Sequence, residues 1–352
     1  MFSARVSARR LLNHRLSAAI ILLPMALGSC VLSPDPVPDP VLVEQVVAEQ
    51  QLAAKLASLG DPRAERIHAQ VADTVNEIVR RCGHLRDGTI VQSCNEAAIQ
   101  TAIATTTSQV DDPEGAQAFA DREDFSAAIG TIAAIANQPD ADSAARITQQ
   151  LTLDNLEALA PDSFALLAEQ YTDRAGWFSL DSPAERTLPT IIHGTADHTD
   201  AADDFPADQL PASIDPRQLS QAEQTELHEL AAAIAAAVSL TGFAAATLEN
   251  PNQASVAANQ RNHALALEQW LAAAEAVLPV TDTAAEPVGF QFPGLTDTDD
   301  QPTKSAATAA LYSQFRDRFL HAAAAATTET WQRVLLQQAA LWQVAVEHHN
   351  AN

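Results

Sequence analysis

The sequence predicts an all-α fold, built as one or two antiparallel helical bundles with long loops rich in proline and aspartate. Three observations predict it. Apolar residues recur at spacings of three and four along most of the chain, alternating strand-like runs are nearly absent, and proline and aspartate are concentrated in two stretches. The roughly 310 residues beyond the N-terminal segment are enough to bury a substantial core.

The first two predicted helices form a hairpin. The apolar residues that share one face of the first are Val41, Ala48, Leu52, Leu56 and Leu59. Gly60 ends this helix, and Asp61-Pro62 offers a cap and a first-turn proline for the next. The stripe of the second is Ala64, Ile67, Val71, Thr74 and Ile78. The short turn between them predicts antiparallel neighbours.

Cys82 and Cys94 enclose eleven residues, a spacing that favours a disulfide in an oxidising compartment. It would tie the second helix to the start of the third and stabilise the fold by about 3 kcal/mol in the chain-entropy model. A metal pair is the alternative, but no second Cys or His cluster completes a tetrahedral site.

Further helices are predicted at 95–110, 123–137, 142–171 with a break near Pro161, 220–249, 252–278 and 305–347. Ser220 and Glu223 match a capping box at the start of the 220–249 helix. In the last region, Leu311, Phe315 and Phe319 share one face, as do Trp331, Leu335, Trp342 and Val346. Core packing is the default interpretation of these faces, and a partner-binding groove is the alternative.

Two irregular stretches divide the chain. Residues 187–216 contain four prolines and six aspartates, and residues 279–304 contain four prolines. The predicted organisation is therefore an N-terminal helical region at 41–186, an acidic loop at 187–216, central helices at 217–278, a loop at 279–304 and C-terminal helices at 305–352. Phe290 and Phe292 in the second loop either fold back onto the helices or anchor a partner.

Residues 230–248 carry no charge and are long enough to span a membrane. They are mostly alanine, and acidic rather than basic residues flank them. A tightly packed helix within a bundle is therefore favoured over a membrane span.

The N-terminus has the layout of a cleavable signal. Four arginines precede an apolar stretch, 16–27, that is too short to cross a bilayer. It ends in Leu27-Gly28-Ser29-Cys30, which resembles the lipobox of bacterial lipoprotein precursors. An ordinary secretory signal or an uncleaved anchor is the alternative.

The resemblance implies that residues 1–29 are a signal peptide and that Cys30 is acylated, with palmitate among its lipids. Several acyl chains on one residue anchor a protein stably, and the membrane is then a partner through Cys30. Residues 30–40 would be a tether, since proline-rich Ser33–Pro40 favours an extended conformation. Val31 stands where aspartate would retain a Gram-negative lipoprotein at the inner membrane, so the resemblance implies the outer membrane.

Removing the signal takes four of the 20 basic residues and none of the 45 acidic ones, which changes the formal charge from −25 to −29. Such a surface would repel nucleic acid, so nucleic-acid binding is excluded. Only two lysines occur, Lys55 and Lys304. Excess acid with scarce lysine is typical of proteins from salt-loving organisms, and a GC-rich genome is the alternative explanation.

Familiar catalytic and cofactor motifs are missing from the sequence, including Gly-x-Ser-x-Gly and the glycine-rich phosphate and dinucleotide loops. No cofactor is therefore predicted. His193, His198, Asp197 and Asp200 in the acidic loop are candidate ligands of a divalent metal ion, and a solvated polar loop is the favoured alternative.

Two other polar segments resemble metal sites less closely. Asp297-Thr298-Asp299-Asp300 begins like a calcium loop but lacks the required glycine and glutamate. His348-His349 is interpreted as a frayed helix end.

The function predicted from sequence is a non-catalytic binding or scaffolding role in the cell envelope, with an envelope protein as a candidate partner. A periplasmic enzyme with an unrecognised acid/base site and a divalent-cation-binding protein are the alternatives.

Overall fold

The structure is a computed structural model that describes residues 36–83, 88–111, 123–159, 161–178, 219–276 and 295–351. Ten α-helices and no β-strand occur in this part of the chain, so the predicted all-α class is confirmed. Val37–Asn352 form one compact unit.

The helical segments agree closely with those predicted. The helices are α1 (Pro40–Ser58), α2 (Ala64–Cys82), α3 (Glu96–Asp111), α4 (Glu123–Ala136), α5 (Ala141–Ala158), α6 (Pro161–Trp177), α7 (Gln221–Thr247), α8 (Pro251–Ala276), α9 (Gln301–Ala325) and α10 (Glu329–Asn350). The break near Pro161 is confirmed, because α5 ends before it and α6 begins on it. The predicted C-terminal region contains a further break, at 326–328.

Prolines and aspartates mark the helix starts. Three helices begin on a residue that has no amide hydrogen to leave unsatisfied: Pro40, Pro161 and Pro251. Three helices are capped by the side-chain carboxylate of the aspartate before them: Asp39 caps α1, Asp140 caps α5 and Asp300 caps α9. Because Asp300 accepts the amide of Thr303 at 2.9 Å, α9 begins at Gln301, and the prediction of a loop through residue 304 is wrong at its end.

Helix α1 lies inside the molecule, in contact with α2, α3, α4 and α5. All residues from Leu42 to Glu49 are buried, so burial does not follow a single face. The predicted stripe is therefore wrong at its ends, because Leu59 is 48% exposed and Val41 is only partly buried. The α2 stripe is confirmed more closely, since Val71 alone among its five residues is not fully buried.

The disulfide between Cys82 and Cys94 is present. It joins the last residue of α2 to a short 3₁₀ turn, Gln92–Cys94, directly before α3. The predicted connection between the second and third helices is therefore confirmed.

The C-terminal helices form two hairpins, α7 with α8 and α9 with α10. Trp270 of α8 stacks on Trp331 of α10 with ring centroids 5.4 Å apart, and Phe315 of α9 lies 4.9 Å from Trp342. These rings are almost fully buried. The aromatic faces therefore form core, as the default interpretation predicted, rather than an open groove.

One hydrophobic core includes residues from both the N-terminal and the C-terminal helices. The connection is made mainly by α10, which packs along α6 as well as against α9. The described helices therefore belong to one body, and the ends of α6 and α10 come together at its surface.

Helix α7 is long and apolar enough to cross a membrane by length and composition, and one third of its most apolar window is buried. It packs against α8 and α9. Its N-terminal turns carry Glu223, Glu226 and Glu229. These contacts are those expected of a helix within a bundle.

Candidate functional site

A surface pocket of about 330 Å³ lies where the start of α2 meets the C-terminal ends of α6 and α10. The three segments that line it are Pro62, Arg63 and Arg66 near the start of α2, Gly176 and Trp177 of α6, and Glu347, His348 and Ala351 at the end of α10. Its volume is at the lower end of the range found for small-molecule sites. It combines guanidinium, aromatic and carboxylate groups, which can bind the polar groups of a ligand.

Gly176 allows the two helix ends to approach this closely. A Cβ atom at this position would lie 2.8 Å from Cγ of Glu347 and 3.0 Å from Cγ of Gln343. A larger residue would therefore require the side chains of Glu347 and Gln343, or the helix itself, to move, so the close contact of α6 and α10 depends on this glycine.

Arg63 already has several partners within the protein. Its guanidinium forms an ion pair with Asp61 at 2.6 Å and donates to the backbone oxygen of Trp177 at 3.1 Å. The same group lies 4.0 Å from the ring centroid of Phe178 and 3.4 Å from Asp142. Arg63 thus caps the C-terminal end of α6 and joins three elements.

Arg66 is different, because its guanidinium is available. It lies 5.3 Å from the ring centroid of Trp177, and no carboxylate of the described residues pairs with it. The side chain is exposed while Trp177 is half-buried. The contact with the ring leaves the guanidinium N–H groups for another acceptor.

Glu347 of α10 lines the pocket, and further acidic residues lie along α6. Asp173 lies one turn before Trp177, and burial raises the pKa of Asp173 to about 6. The negative charges of Glu169 and Glu347 add to this rise, while Arg316 opposes it. Asp173 does not line the pocket itself, but a carboxyl group whose pKa is moved toward neutrality one turn away from a lining residue is a physical sign of a functional site.

A second polar cluster lies in the interior, between α1, α2, α5 and α6. The fully buried Arg174 donates to Gln70 at 2.8 Å and to Thr152 at 2.6 Å, and pairs with Glu49 at 3.1 Å. The carboxylate of Glu49 also accepts hydrogen bonds from Gln45 and Thr74. We call this group, with Gln149, Gln170 and Asn155, the buried polar layer.

The buried polar layer is a closed structural network. Burial raises the pKa of Glu49. The positive charge of Arg174 opposes this rise most strongly, and the hydrogen bonds from Gln45 and Thr74 also oppose it. Both side chains of the ion pair have no solvent exposure. The hydrogen bonds of the layer are made within the protein. The layer therefore fixes the register of four helices and does not resemble a ligand site.

His349 is buried, so its interpretation as part of a frayed helix end is wrong. Its Nε2 lies 2.9 Å from the backbone oxygen of Ser305, which links the end of α10 to the start of α9. Its ring meets Tyr312 edge-on with centroids 5.6 Å apart. Burial lowers the pKa of His349, and the bond to Ser305 opposes this.

Several sequence predictions concern residues that the structure does not describe. Cys30 and the candidate metal residues His193, His198, Asp197 and Asp200 lie outside the described residues, as do Phe290 and Phe292. In the part of the chain that is described, no group of three or more His, Cys, Asp or Glu side chains could hold a metal ion.

The segment at 297–300 stabilises the start of a helix. Asp299 accepts the amide of Thr296 at 2.7 Å, Asp300 caps α9, and the backbone oxygen of Asp297 accepts from Lys304 at 3.2 Å. Its aspartates therefore have turn and cap roles in the structure.

Sequence reasoning did not find the pocket. Its residues come from 62–66, 176–177 and 347–351, and no motif connects positions so far apart. The one local signal is the arginine pair at 63 and 66, which is three residues apart on one helix face.

Comparison of the chain with protein-family models, with curated proteins and with solved structures found no match.

Proposed function

We propose that this protein is a lipoprotein of the bacterial cell envelope that acts by binding rather than by catalysis. In this proposal residues 1–29 are a signal peptide, acyl chains on Cys30 hold the protein at the outer membrane, and residues 30–40 are a tether. The observation that carries the proposal is the Leu27-Gly28-Ser29-Cys30 quartet placed just before a compact helical body.

The first helix begins close after the proposed acylation site. Asp39 caps α1 through the amide of Val41 at 2.9 Å and forms an ion pair with Arg81 of α2 at 2.5 Å. Eight residues lie between Cys30 and Asp39, and a chain of that length can span at most about 30 Å. A body fixed at Asp39 would therefore stay near the membrane surface.

The charge of the body supports a role for the lipid. With a formal charge of −29 after loss of residues 1–29, the protein would be repelled by anionic headgroups. The acyl chains would then have to supply the attachment, because several chains on one residue give stable anchoring without basic residues.

The pocket supports binding as the activity. It brings Arg66, Trp177 and Glu347 to one place, while the sequence lacks the familiar nucleophile and cofactor motifs. These groups can orient a small polar molecule, and they do not form a nucleophile and base pair.

The anchoring proposal is tested with the Cys30→Ser variant and a Ser33→Ala control in a Gram-negative host. Wild type and the control should incorporate an alkyne-labelled palmitate, be shortened to begin at residue 30, and sediment with outer membranes. The Cys30→Ser protein should lose the label and keep the precursor length. Incorporation of label into that variant, or its trimming to the wild-type size, would refute the proposal.

A further inference from the structure

We infer that the pocket between α2, α6 and α10 binds a small zwitterion with an apolar side chain, of the α-amino acid class. The ligand carboxylate would bind Arg66, its ammonium group would face Glu347, and its side chain would lie on Trp177. This inference rests on the binding role proposed above and names the ligand of that role.

Arg66 supplies the carboxylate site. It is an exposed guanidinium with no carboxylate partner among the described residues, in a chain with 45 acidic and 20 basic residues. Neighbouring Arg63 is already bonded to Asp61 and to the end of α6. Arg66 also lies in the first turn of α2, where the positive end of the helix dipole favours a negative ligand group.

The opposite wall supplies the ammonium site. Trp177 is the last residue of α6, and Glu347 lies in the last turn of α10, so the negative ends of two helix dipoles meet there. Glu347 adds its own charge, and its repulsion contributes to the raised pKa of Asp173. An ammonium group beside Glu347 would offset that negative charge.

Charge selects a dipolar ligand over a simple ion. A simple anion would bind Arg66 but would approach a strongly acidic protein and face Glu347. A simple cation would be attracted by the protein and repelled by Arg66. A zwitterion satisfies both walls without net charge, and a volume of about 330 Å³ admits an amino acid.

Apart from Arg63 and His348, the remaining lining residues are apolar. Pro62, Trp177 and Ala351 line the pocket together with Gly176, which has no side chain. An apolar ligand side chain would cover this surface and gain by its burial. L-leucine is therefore a suitable probe.

The test is isothermal titration of the full mature protein in detergent with three related probes. L-leucine has both charges, N-acetyl-L-leucine lacks the ammonium charge, and L-leucinamide lacks the carboxylate. Leucine should bind, and each derivative should bind about tenfold or more weakly, because each loses one charged hydrogen bond. Absence of leucine binding at millimolar concentration, or equal binding of either derivative, would overturn the inference.

Variants assign the binding to this pocket. Arg66→Gln and Glu347→Gln should each weaken leucine binding about tenfold, with Arg146→Gln on exposed α5 surface as the matched control. The intrinsic fluorescence should change on leucine addition, and Trp177→Phe should abolish the change. The other three tryptophans are at most 3% exposed. Equal weakening by Arg146→Gln, or a fluorescence response that persists in Trp177→Phe, would place the ligand elsewhere and overturn the inference.

The outcome is separable from that of the anchoring test. The Arg66→Gln protein should still be labelled with palmitate and sediment with membranes, because the substitution leaves the signal and Cys30 unchanged. Loss of leucine binding with intact anchoring concerns the pocket alone, and loss of anchoring in Cys30→Ser with intact leucine binding concerns the lipid alone.

Discussion

The guanidinium of Arg174 and the carboxylate of Glu49 meet 3.1 Å apart with neither side chain exposed to solvent. Arg174 lies in α6 and Glu49 in α1. The pair therefore joins two helices through residues that are 125 positions apart in the sequence. A buried ion pair need not add net stability, but losing one partner leaves a charge without compensation. The pair therefore restricts which arrangements of α1 and α6 are possible.

Removing either partner should strongly destabilise the protein. Arg174→Met and Glu49→Gln should each lower the free energy of unfolding by about 3–5 kcal/mol, measured by urea denaturation. The double variant should lose less than the two single losses combined, because the remaining charge is then absent too. Arg318→Met serves as the control, since its partner Glu229 is half exposed and such pairs contribute about 1 kcal/mol or less. Additive losses in the double variant would show that the two side chains act independently.

Glu223 holds together the starts of two helices. One oxygen accepts the amide of Ser220 at 2.7 Å within the predicted capping box, and the other accepts the amide of Thr327 at 2.6 Å before α10. Burial alone would raise the pKa of Glu223, but the backbone donors of Thr327 and Ser220 outweigh it and lower the value to about 2.

Glu223→Gln should therefore cost about 1.5–3 kcal/mol at pH 7, because a charged acceptor becomes neutral. The contribution of Glu223 is fully present above pH 4.5 and is lost as pH falls from there toward 2, since the unfolded state binds the proton first. Urea denaturation at several pH values measures this, with Glu229→Gln on the same helix as the control. An unchanged pH dependence between pH 4.5 and 2 in Glu223→Gln would contradict the role of this carboxylate.

The sequence predicted most helices because their signals are local. The α2 stripe, the capping box at Ser220 and the break at Pro161 each depend on residues within a few positions of one another. The position of the break at 326–328 was not predicted, because the segment contains no proline or glycine and its amides bond to Glu223 of a different helix. The α1 face was wrong at its ends because α1 is surrounded by other helices.

The pocket was beyond sequence reasoning for a similar reason. Arg66, Trp177 and Glu347 come together only because α10 packs on α6, and that packing depends on the whole core. The buried polar layer could not be predicted from the sequence either, since a glutamate or arginine within a helical pattern is usually exposed.

His349 should make the protein sensitive to mild acid. Burial lowers its pKa below the usual 6.5, so the unfolded state takes up a proton more readily than the folded state. Its stabilising effect is present above pH 6.5 and is lost as pH falls below that value. In urea denaturation at pH 7.5 and pH 5.5, His349→Gln should lose less stability on acidification than wild type. A steeper loss in the variant would contradict this assignment.

Two helical glycines offer a matched test of the α6–α10 approach. A Cβ at Gly176 would meet Cγ atoms of Glu347 and Gln343 at 2.8 and 3.0 Å, close to their backbones. A Cβ at Gly242 would meet Nε of Arg261 at 2.9 Å, near the end of a flexible exposed side chain that can move away. Gly176→Ala should therefore cost about 1–3 kcal/mol through overpacking, which exceeds any gain in helix propensity.

Gly242→Ala should instead be neutral or stabilising by up to about 1 kcal/mol, because alanine favours a helix interior over glycine. Thermal and urea denaturation of the two variants side by side measures the difference. Since Gly176 also lines the pocket, Gly176→Ala should weaken leucine binding while Gly242→Ala leaves it unchanged. Equal stabilities of the two variants would mean that α6 and α10 separate at little cost, and the pocket would then not be held by their close contact.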